Sequence, residues 1–244
     1  MGTAIQYLRS LVFNTMMYVM MVVFGLLYLL PSVVNRKYAY RAIRTYCRYV
    51  RWSASWMIGL KSEIRGPVPD GEVIIASKHQ SFFDVLMLVS VLPRPKFIVK
   101  KELRFVPIVG FYSRRIGCIY VDRGKRSAAI KSMVKGVKES GGIPGQLIIF
   151  PQGTRVAAGK KMPYKIGAGV LFEKTGQAMI PASTNVGAFW PRHGLLRKPG
   201  LAVLEFLPEI APGVPIKEAM KILEQRVEGS SDALLVEVGF TGKG

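Results

Sequence analysis

Acid is scarce in this sequence. Asp and Glu together number 15 against 35 Lys and Arg, a formal net charge of +20. Only four of the acids are aspartates: Asp70, Asp84, Asp122 and Asp232. An excess of this size draws a protein to polyanions: nucleic acid, an anionic membrane surface, or a phosphorylated or acidic substrate. The two cysteines, Cys47 and Cys118, offer neither a disulfide framework nor a CxxC metal pair and suit a reducing compartment. Cys118 sits in the apolar run "GCIYV" and reads as a buried small residue, not a nucleophile. The two histidines, His79 and His193, lie far apart and no HExxH is present, so no metal site is expected. No G-x-S-x-G elbow supplies a serine nucleophile. Neither an RNP-type aromatic pattern nor a helix-turn-helix signal is present, so no nucleic-acid partner is expected. Internal repeats and low-complexity tracts are absent as well. Half of the residues are hydrophobic, which excludes a disordered chain. A length of 244 residues holds one large α/β domain plus a small attachment.

What is present starts with "LVFNTMMYVMMVVFGLLYLL", Leu11 to Leu30, an uncharged run followed by Pro31. A helix needs roughly 20 apolar residues to cross a bilayer, and no small-residue cleavage site follows, which argues against a signal peptide. Beyond Pro31, Lys37, Arg41, Arg44, Arg48 and Arg51 recur at three- and four-residue steps, a basic stripe on a helix. Ala42, Ile43, Tyr46, Tyr49 and Val50 occupy the other side. Such a segment suits the headgroup level of an anionic leaflet or, failing that, a solvated helix face. The basic flank places residues from 36 onward in the cytoplasm. Length alone leaves open whether the run spans the bilayer, turns back as a hairpin or is a buried core helix. Residues 1–62 are expected as membrane-attached helices and 63–244 as the α/β domain, with "RGPVPDG" at the boundary.

From Glu63 onward, short apolar runs alternate with helical ones. Strands are expected at 72–77, 96–99, 118–121, 146–150, 178–182 and 201–207. Helices are expected at Phe82–Leu92, Arg126–Glu139, Tyr164–Thr175 and Pro215–Glu228. This order predicts a largely parallel mixed sheet flanked by helices. Ligands of open α/β sheets bind beyond the carboxyl ends of the strands, where three polar turns fall: "KHQSFFD", "DRGKR" and "PQGTR".

In the first turn, Ser81-x-x-Asp84 is a capping-box pattern, which accounts for Asp84 but not for His79. A carboxylate one helical turn beyond a loop histidine can hold Nδ1–H and leave Nε2 free as a base. With no protein nucleophile, such a pair suits a substrate that brings its own hydroxyl; a hydrogen-bonded loop histidine is the structural alternative. In "FPQGTR", Gly153 permits a tight turn with exposed N–H groups, Thr154 adds a hydroxyl, and Arg155 offers a planar fork for phosphate. An ordinary turn with a surface arginine is the alternative there. In "GCIYVDRGKR", Asp122 can pair with Arg123 or Arg126 as a surface ion pair.

The ordered set H-x4-D, G-x-I-[FY]-[IV]-D-R, F-P-x-G-T-R and an apolar "IPA" resembles the PlsC-like 1-acylglycerol-3-phosphate acyltransferases, within the wider glycerolipid acyltransferases. The resemblance runs from about Glu63 to Leu207 and suits the N-terminal hydrophobic helices. It implies His79 as general base and Asp84 as its orienting carboxylate. It implies Arg123, Gln152, Gly153, Thr154 and Arg155 as residues that bind a lysophospholipid acceptor. The acyl donor is acyl-CoA or acyl-acyl carrier protein, no other cofactor or metal is needed, and no acyl-enzyme forms. The expected location is the cytoplasmic face of a membrane, the bacterial inner membrane. Two positions depart from the family pattern. Lys78 stands where many members have Asn, and a cation beside His79 favours the neutral imidazole. Gln152 stands where Glu is common, which opens the acceptor head group to variation, for instance a lyso-aminolipid. A non-catalytic protein of anionic membrane surfaces is the competing class. His193, in "FWPRHGLLRKPG", has no acidic neighbour in sequence; Trp190, Arg192, Arg197 and Lys198 can lie against headgroups or simply pack the loop.

Overall fold

A computed structural model of the chain describes residues 2–122, 126–139 and 144–242. Three N-terminal helices, α1 (Thr3–Leu27), α2 (Leu29–Val34) and α3 (Arg36–Met57), precede the sheet. Among the described residues seven strands form one sheet: β1 (Leu60–Arg65), β2 (Ile74–Ser77), β3 (Pro95–Lys100), β4 (Ile119–Val121), β5 (Gln146–Ile149), β6 (Met179–Thr184) and β7 (Gly200–Phe206). Their spatial order is β1-β7-β6-β2-β5-β3-β4. Neighbours pair in parallel throughout except β6 with β7, so β1 and β7 run against the other five. Helices α4 (Phe83–Val91), α5 (Val109–Arg115), α6 (Arg126–Glu139) and α7 (Gly167–Thr175) lie between successive strands, and α8 (Ile216–Glu237) follows β7. The expected largely parallel mixed sheet flanked by helices is what forms.

Strand pleating divides the core. On β2 and β5, Ile75 and Ile148 join α1, α3 and α4 in one apolar cluster. Ile74, Ala76, Leu147 and Ile149 join α7 and α8 in another. A period of two makes this division obligatory, and carried one step past each strand end it decides which side chains meet at the site.

β1 is an element the sequence did not announce. Its run "LKSEIR" is half charged, yet it pairs with β7 along its whole length and crosses the expected 62/63 boundary. The outermost strand needs only one buried face, so alternating polar residues are tolerated.

The α3 arginines differ from expectation. Arg44 donates to Leu92 O at 3.2 Å and Pro93 O at 2.5 Å, and Arg48 Nε to Ser90 O at 3.1 Å. Arg51 reaches Ser62 Oγ and Ser90 Oγ. These three cations serve the C-terminal end of α4, where carbonyls lack helical partners and the helix dipole favours positive charge. Helix α4 has no basic residue of its own in its last turn, so α3 supplies the charge. Lys37 and Arg41 remain exposed.

Helix α1 is inside-out by the standard of a soluble helix. Gln6, Ser10 and Asn14, four apart, are its buried polar stripe. Gln6 Nε2 donates to Ile58 O and Arg197 O, Ser10 Oγ accepts from Arg197 N, and Asn14 Nδ2 donates to Leu195 O. Leu8, Leu11, Val12, Val19, Leu26 and Leu27 are exposed. After Tyr28 the chain turns through α2, and α3 runs back along α1, with Tyr46 OH on Met17 O and Phe24 against Tyr49. By length and composition α1 suffices to cross a membrane, and an exposed apolar face of this extent marks a membrane-associated protein.

Candidate active site

His79 and Asp84 are held by the junction of β2 and α4. His79 Nδ1 lies 3.1 Å from Asp84 Oδ2. The same oxygen accepts the backbone N–H groups of Gln80 at 2.6 Å and Ser81 at 2.7 Å. Ser81 Oγ accepts from Phe83 N at 3.2 Å. Asp84 is therefore both a helix-terminus carboxylate and the partner of His79, and the two readings of the motif converge on one oxygen. Asp84 is fully buried, whereas 17% of the His79 side chain is exposed. With the proton on Nδ1 donated to Asp84, Nε2 carries a lone pair.

The turn after β5 is closed around this histidine. The Phe150 ring stacks on the imidazole with centroids 3.9 Å apart, and Val156 N donates to His79 O at 2.7 Å. Pleating explains Phe150, which follows Ile149 and so faces the α4 side with His79. Between these two anchors lie the residues proposed from sequence. Gly153 has φ +72° and its N–H donates to Phe150 O at 2.8 Å, a left-handed conformation that favours glycine. A Cβ there would come within 2.5 Å of Lys165 Nζ, a cation that sequence reading passed over. Thr154 and Arg155 are half-buried. Arg155 Nη1 donates to Arg192 O at 3.4 Å and Arg192 Nη1 to Arg155 O at 3.2 Å, which joins Arg192 to the turn. Arg155, Arg192 and Lys165 give this rim a positive character suited to a phosphate.

Gln152 turns inward. It is fully buried, and its Nε2 lies 3.4 Å from Glu228 Oε1. Lys78, expected as a cation acting on His79, is likewise directed elsewhere: Nζ meets Glu228 Oε2 at 2.6 Å, with side-chain exposures of 1% and 9%. The reason is again the pleat, which sends Lys78 to the α8 face and His79 to the α4 face. Tyr164 OH also donates to Glu228, at 2.9 Å; burial first, then the Glu228 charge, push its phenol up, so it stays protonated. Arg123 lies outside the described residues. Asp122, beside it at the end of β4, forms an ion pair with Lys101. His193 is exposed in the loop after β6. Cys118 is partly exposed where a buried residue was expected; desolvation still pushes its thiol up to about 12, which keeps it neutral.

An aromatic chain links the site to the membrane-associated helix. Trp190 stacks on Phe83 at 5.1 Å and meets Phe13 of α1 edge-on at 5.6 Å, while Arg197 sits 4.4 Å over its ring. Each such aromatic pair contributes about 0.5–1.5 kcal/mol. Phe83 adjoins Asp84, so Trp190 and Phe83 stand between α1 and the dyad. A cavity of about 720 Å³ opens at the other end of the strands, before β3 and β5, lined by Arg36, Lys37, Arg41, Arg94 and Pro144 among others.

A mixed sheet with polar turns gathered at the carboxyl ends of its parallel strands is the architecture of an α/β enzyme. The chain belongs to the Acyltransferase family, whose model matches residues 60–185, and it is an acyltransferase. It is 25% identical over 240 residues to the 1-acyl-sn-glycerol-3-phosphate acyltransferase of Pseudomonas aeruginosa, covering 97% of this chain and 93% of that protein. It is 26% identical over 192 residues to the enzyme of the same name from Saccharomyces cerevisiae, covering 76% and 63%. The structure matches that of the 1-acyl-sn-glycerophosphate (LPA) acyltransferase PlsC from Thermotoga maritima with a TM-score of 0.79 at 25% identity, over 93% of this chain and 95% of that one.

Proposed function

We propose that this acyltransferase moves a fatty acyl group from acyl-CoA or acyl-acyl carrier protein to the free hydroxyl of 1-acylglycerol-3-phosphate, giving phosphatidate. The observation that carries the reading is the His79–Asp84 contact enclosed by the Phe150–Val156 turn. Nε2 of His79 removes the hydroxyl proton as the acceptor oxygen attacks the thioester carbonyl. The tetrahedral intermediate expels the carrier thiolate, which takes the proton back from the imidazolium, so enzyme and charge return to their starting state. Asp84 orients the ring and faces the positive charge it carries between the two proton transfers. Gly153, Thr154 and Arg155 bind the acceptor phosphate, joined by Arg123 on the strength of the family resemblance. Binding both reactants at one rim converts a two-body encounter into an oriented one.

The test is acylation of a panel of lysolipids by membranes containing this chain, with each thioester donor in turn. Phosphatidate formed from lysophosphatidate supports the reading. Exclusive acylation of another lysolipid keeps the chemistry and moves the acceptor. No product with any pair returns the chain to a non-catalytic membrane role. In the same assay Arg155→Ala is expected to raise KM for lysophosphatidate by about tenfold to a hundredfold, the worth of charge-assisted hydrogen bonds, with kcat nearly unchanged. A fall in kcat alone would place Arg155 away from the phosphate.

We also infer attachment to the cytoplasmic leaflet of an anionic membrane, in bacteria the inner membrane. The apolar face of α1 and α2 includes Leu30, Val33 and Val34, and the exposed cations Lys37 and Arg41 follow directly. The protein should stay with the membrane pellet in high salt, because insertion of apolar surface is not screened. Lys37→Glu and Arg41→Glu should each weaken binding to phosphatidylglycerol vesicles by about fivefold or more, at about 1 kcal/mol per cation, and leave phosphatidylcholine binding alone. Release by salt would mean that charge alone holds the chain.

A further inference from the structure

Lys78 precedes His79 in the chain, yet its ammonium is buried on the opposite face of the sheet, on Glu228 Oε2. Glu228 stands in α8, far along the sequence. Its other carboxylate oxygen accepts from Tyr164 OH and from Gln152 Nε2. One carboxylate thus ties together the end of β2, the turn after β5 and the segment entering α7. The first two bear His79 and the Gly153–Arg155 rim, which touch each other through the Phe150 stack and the Val156 bond.

We propose that Glu228 is a positioning residue: through Lys78 and Gln152 it fixes the His79 ring relative to the Gly153–Arg155 turn and so sets the alignment of base and acceptor. The inference rests on the acyl-transfer reading above. A buried ammonium requires a counter-charge, and here it has one within reach. The neighbouring position 152 is filled by a neutral amide, so a single negative charge faces Lys78. Gln152 Oε1 is buried without a hydrogen-bond partner among the described residues, so the side chain is held through Nε2 on Glu228. A glutamate at 152 would bring a second carboxylate against Glu228, and like charges repel strongly where water is excluded. The cluster therefore has one seat for a carboxylate, reachable from either residue 152 or residue 228, and in this chain α8 fills it.

The experiment uses the full chain in membranes with Glu228→Gln, Gln152→Glu, their double variant, and the apolar pair Lys78→Met/Glu228→Leu. Two quantities are read: kcat and KM for lysophosphatidate acylation, and the rate at which diethyl pyrocarbonate modifies His79, followed by peptide mass. His193, exposed and the other histidine of the chain, is the internal reference. Each single variant is expected to lower kcat about tenfold or more with KM within about threefold, a coupling of the size contacting residues show. His79 modification should shift by about threefold while His193 stays constant. The double variant, with the carboxylate moved to 152, should return both quantities to within about threefold of the parent. The apolar pair should keep its melting temperature and retain the low kcat.

A double variant no better than its parents overturns the proposal. Full kcat in the apolar pair does so too, since the tie would then serve folding alone. If the parent protein acylates no lysolipid with either donor, the acyl-transfer reading fails by itself. The modification rates then still decide whether Glu228 positions His79.

Discussion

His79→Ala is expected to lower kcat by about a hundredfold to ten-thousandfold, the range that a positioned general base supplies, while the protein remains folded and membrane-bound. The fold should survive because the ring's contacts are local. Its hydrogen bond goes to Asp84 and its face to Phe150. Asp84 keeps the N–H groups of Gln80 and Ser81 when the imidazole is gone, so no buried charge is left without donors. The β2–α4 junction is then still closed, and the loss belongs to chemistry. KM for both substrates should hardly move, because Nε2 contributes only when the hydroxyl proton is in flight. The measurement is initial-rate acylation by membranes from cells lacking their own enzyme of this type, alongside a melting curve. Near-normal turnover would remove His79 from the base role, and an equal fall in melting temperature would recast it as a packing residue.

The sequence made the dyad legible because its parts are five residues apart and bridged by a helix start. Capping rules place Asp84 in the first turn of α4, and strand alternation fixes the side toward which His79 points. The strands were legible for the same reason: buried on both faces, they are short apolar runs between turns. What escaped reading depends on contacts between distant segments. β1 is half charged because one face is open, and only β7 makes it a strand. The arginines of α3 show a regular stripe, but their partners are carbonyls at the end of α4, and no periodicity reveals a carbonyl's need. Glu228 sits on a charged amphipathic helix like any solvent-facing acid, and its burial appears only once β2 and the turn after β5 are placed beside it. Lys78 could have been assigned from the pleat alone, since it alternates with His79. The apolar length of α1 was plain; its docking through Gln6, Ser10 and Asn14 required the loop at 195–197.

Asp84→Asn should separate the orienting task of this carboxylate from its charge. The Oδ2 position accepts N–H from Gln80, Ser81 and, in the reading above, His79. Oδ1 is buried without a hydrogen-bond partner among the described residues. Two backbone donors fixed at 2.6 and 2.7 Å select the oxygen of an asparagine for the Oδ2 position, since an NH2 there would face two N–H groups. The imidazole then still donates from Nδ1 and keeps Nε2 free, so tautomer and ring orientation survive. The negative charge opposite the imidazolium is lost. At about 4 Å and an effective dielectric near 20 that attraction is about 4 kcal/mol, and kcat should fall by up to about a thousandfold. The asparagine NH2, left in the unpartnered Oδ1 position, costs about 1–3 kcal/mol of stability. Asp84→Ala goes further, because the N–H groups of Gln80 and Ser81 lose their acceptor and α4 loses its N-terminal carboxylate. Stability should therefore fall in the order His79→Ala, Asp84→Asn, Asp84→Ala, whereas all three depress kcat. Thermal melts and kcat on one set of membranes check the order. An Asp84→Asn enzyme within tenfold of the parent would mean that Asp84 serves only to cap α4 and hold the ring, and that the imidazolium finds its counter-charge in the substrate phosphate.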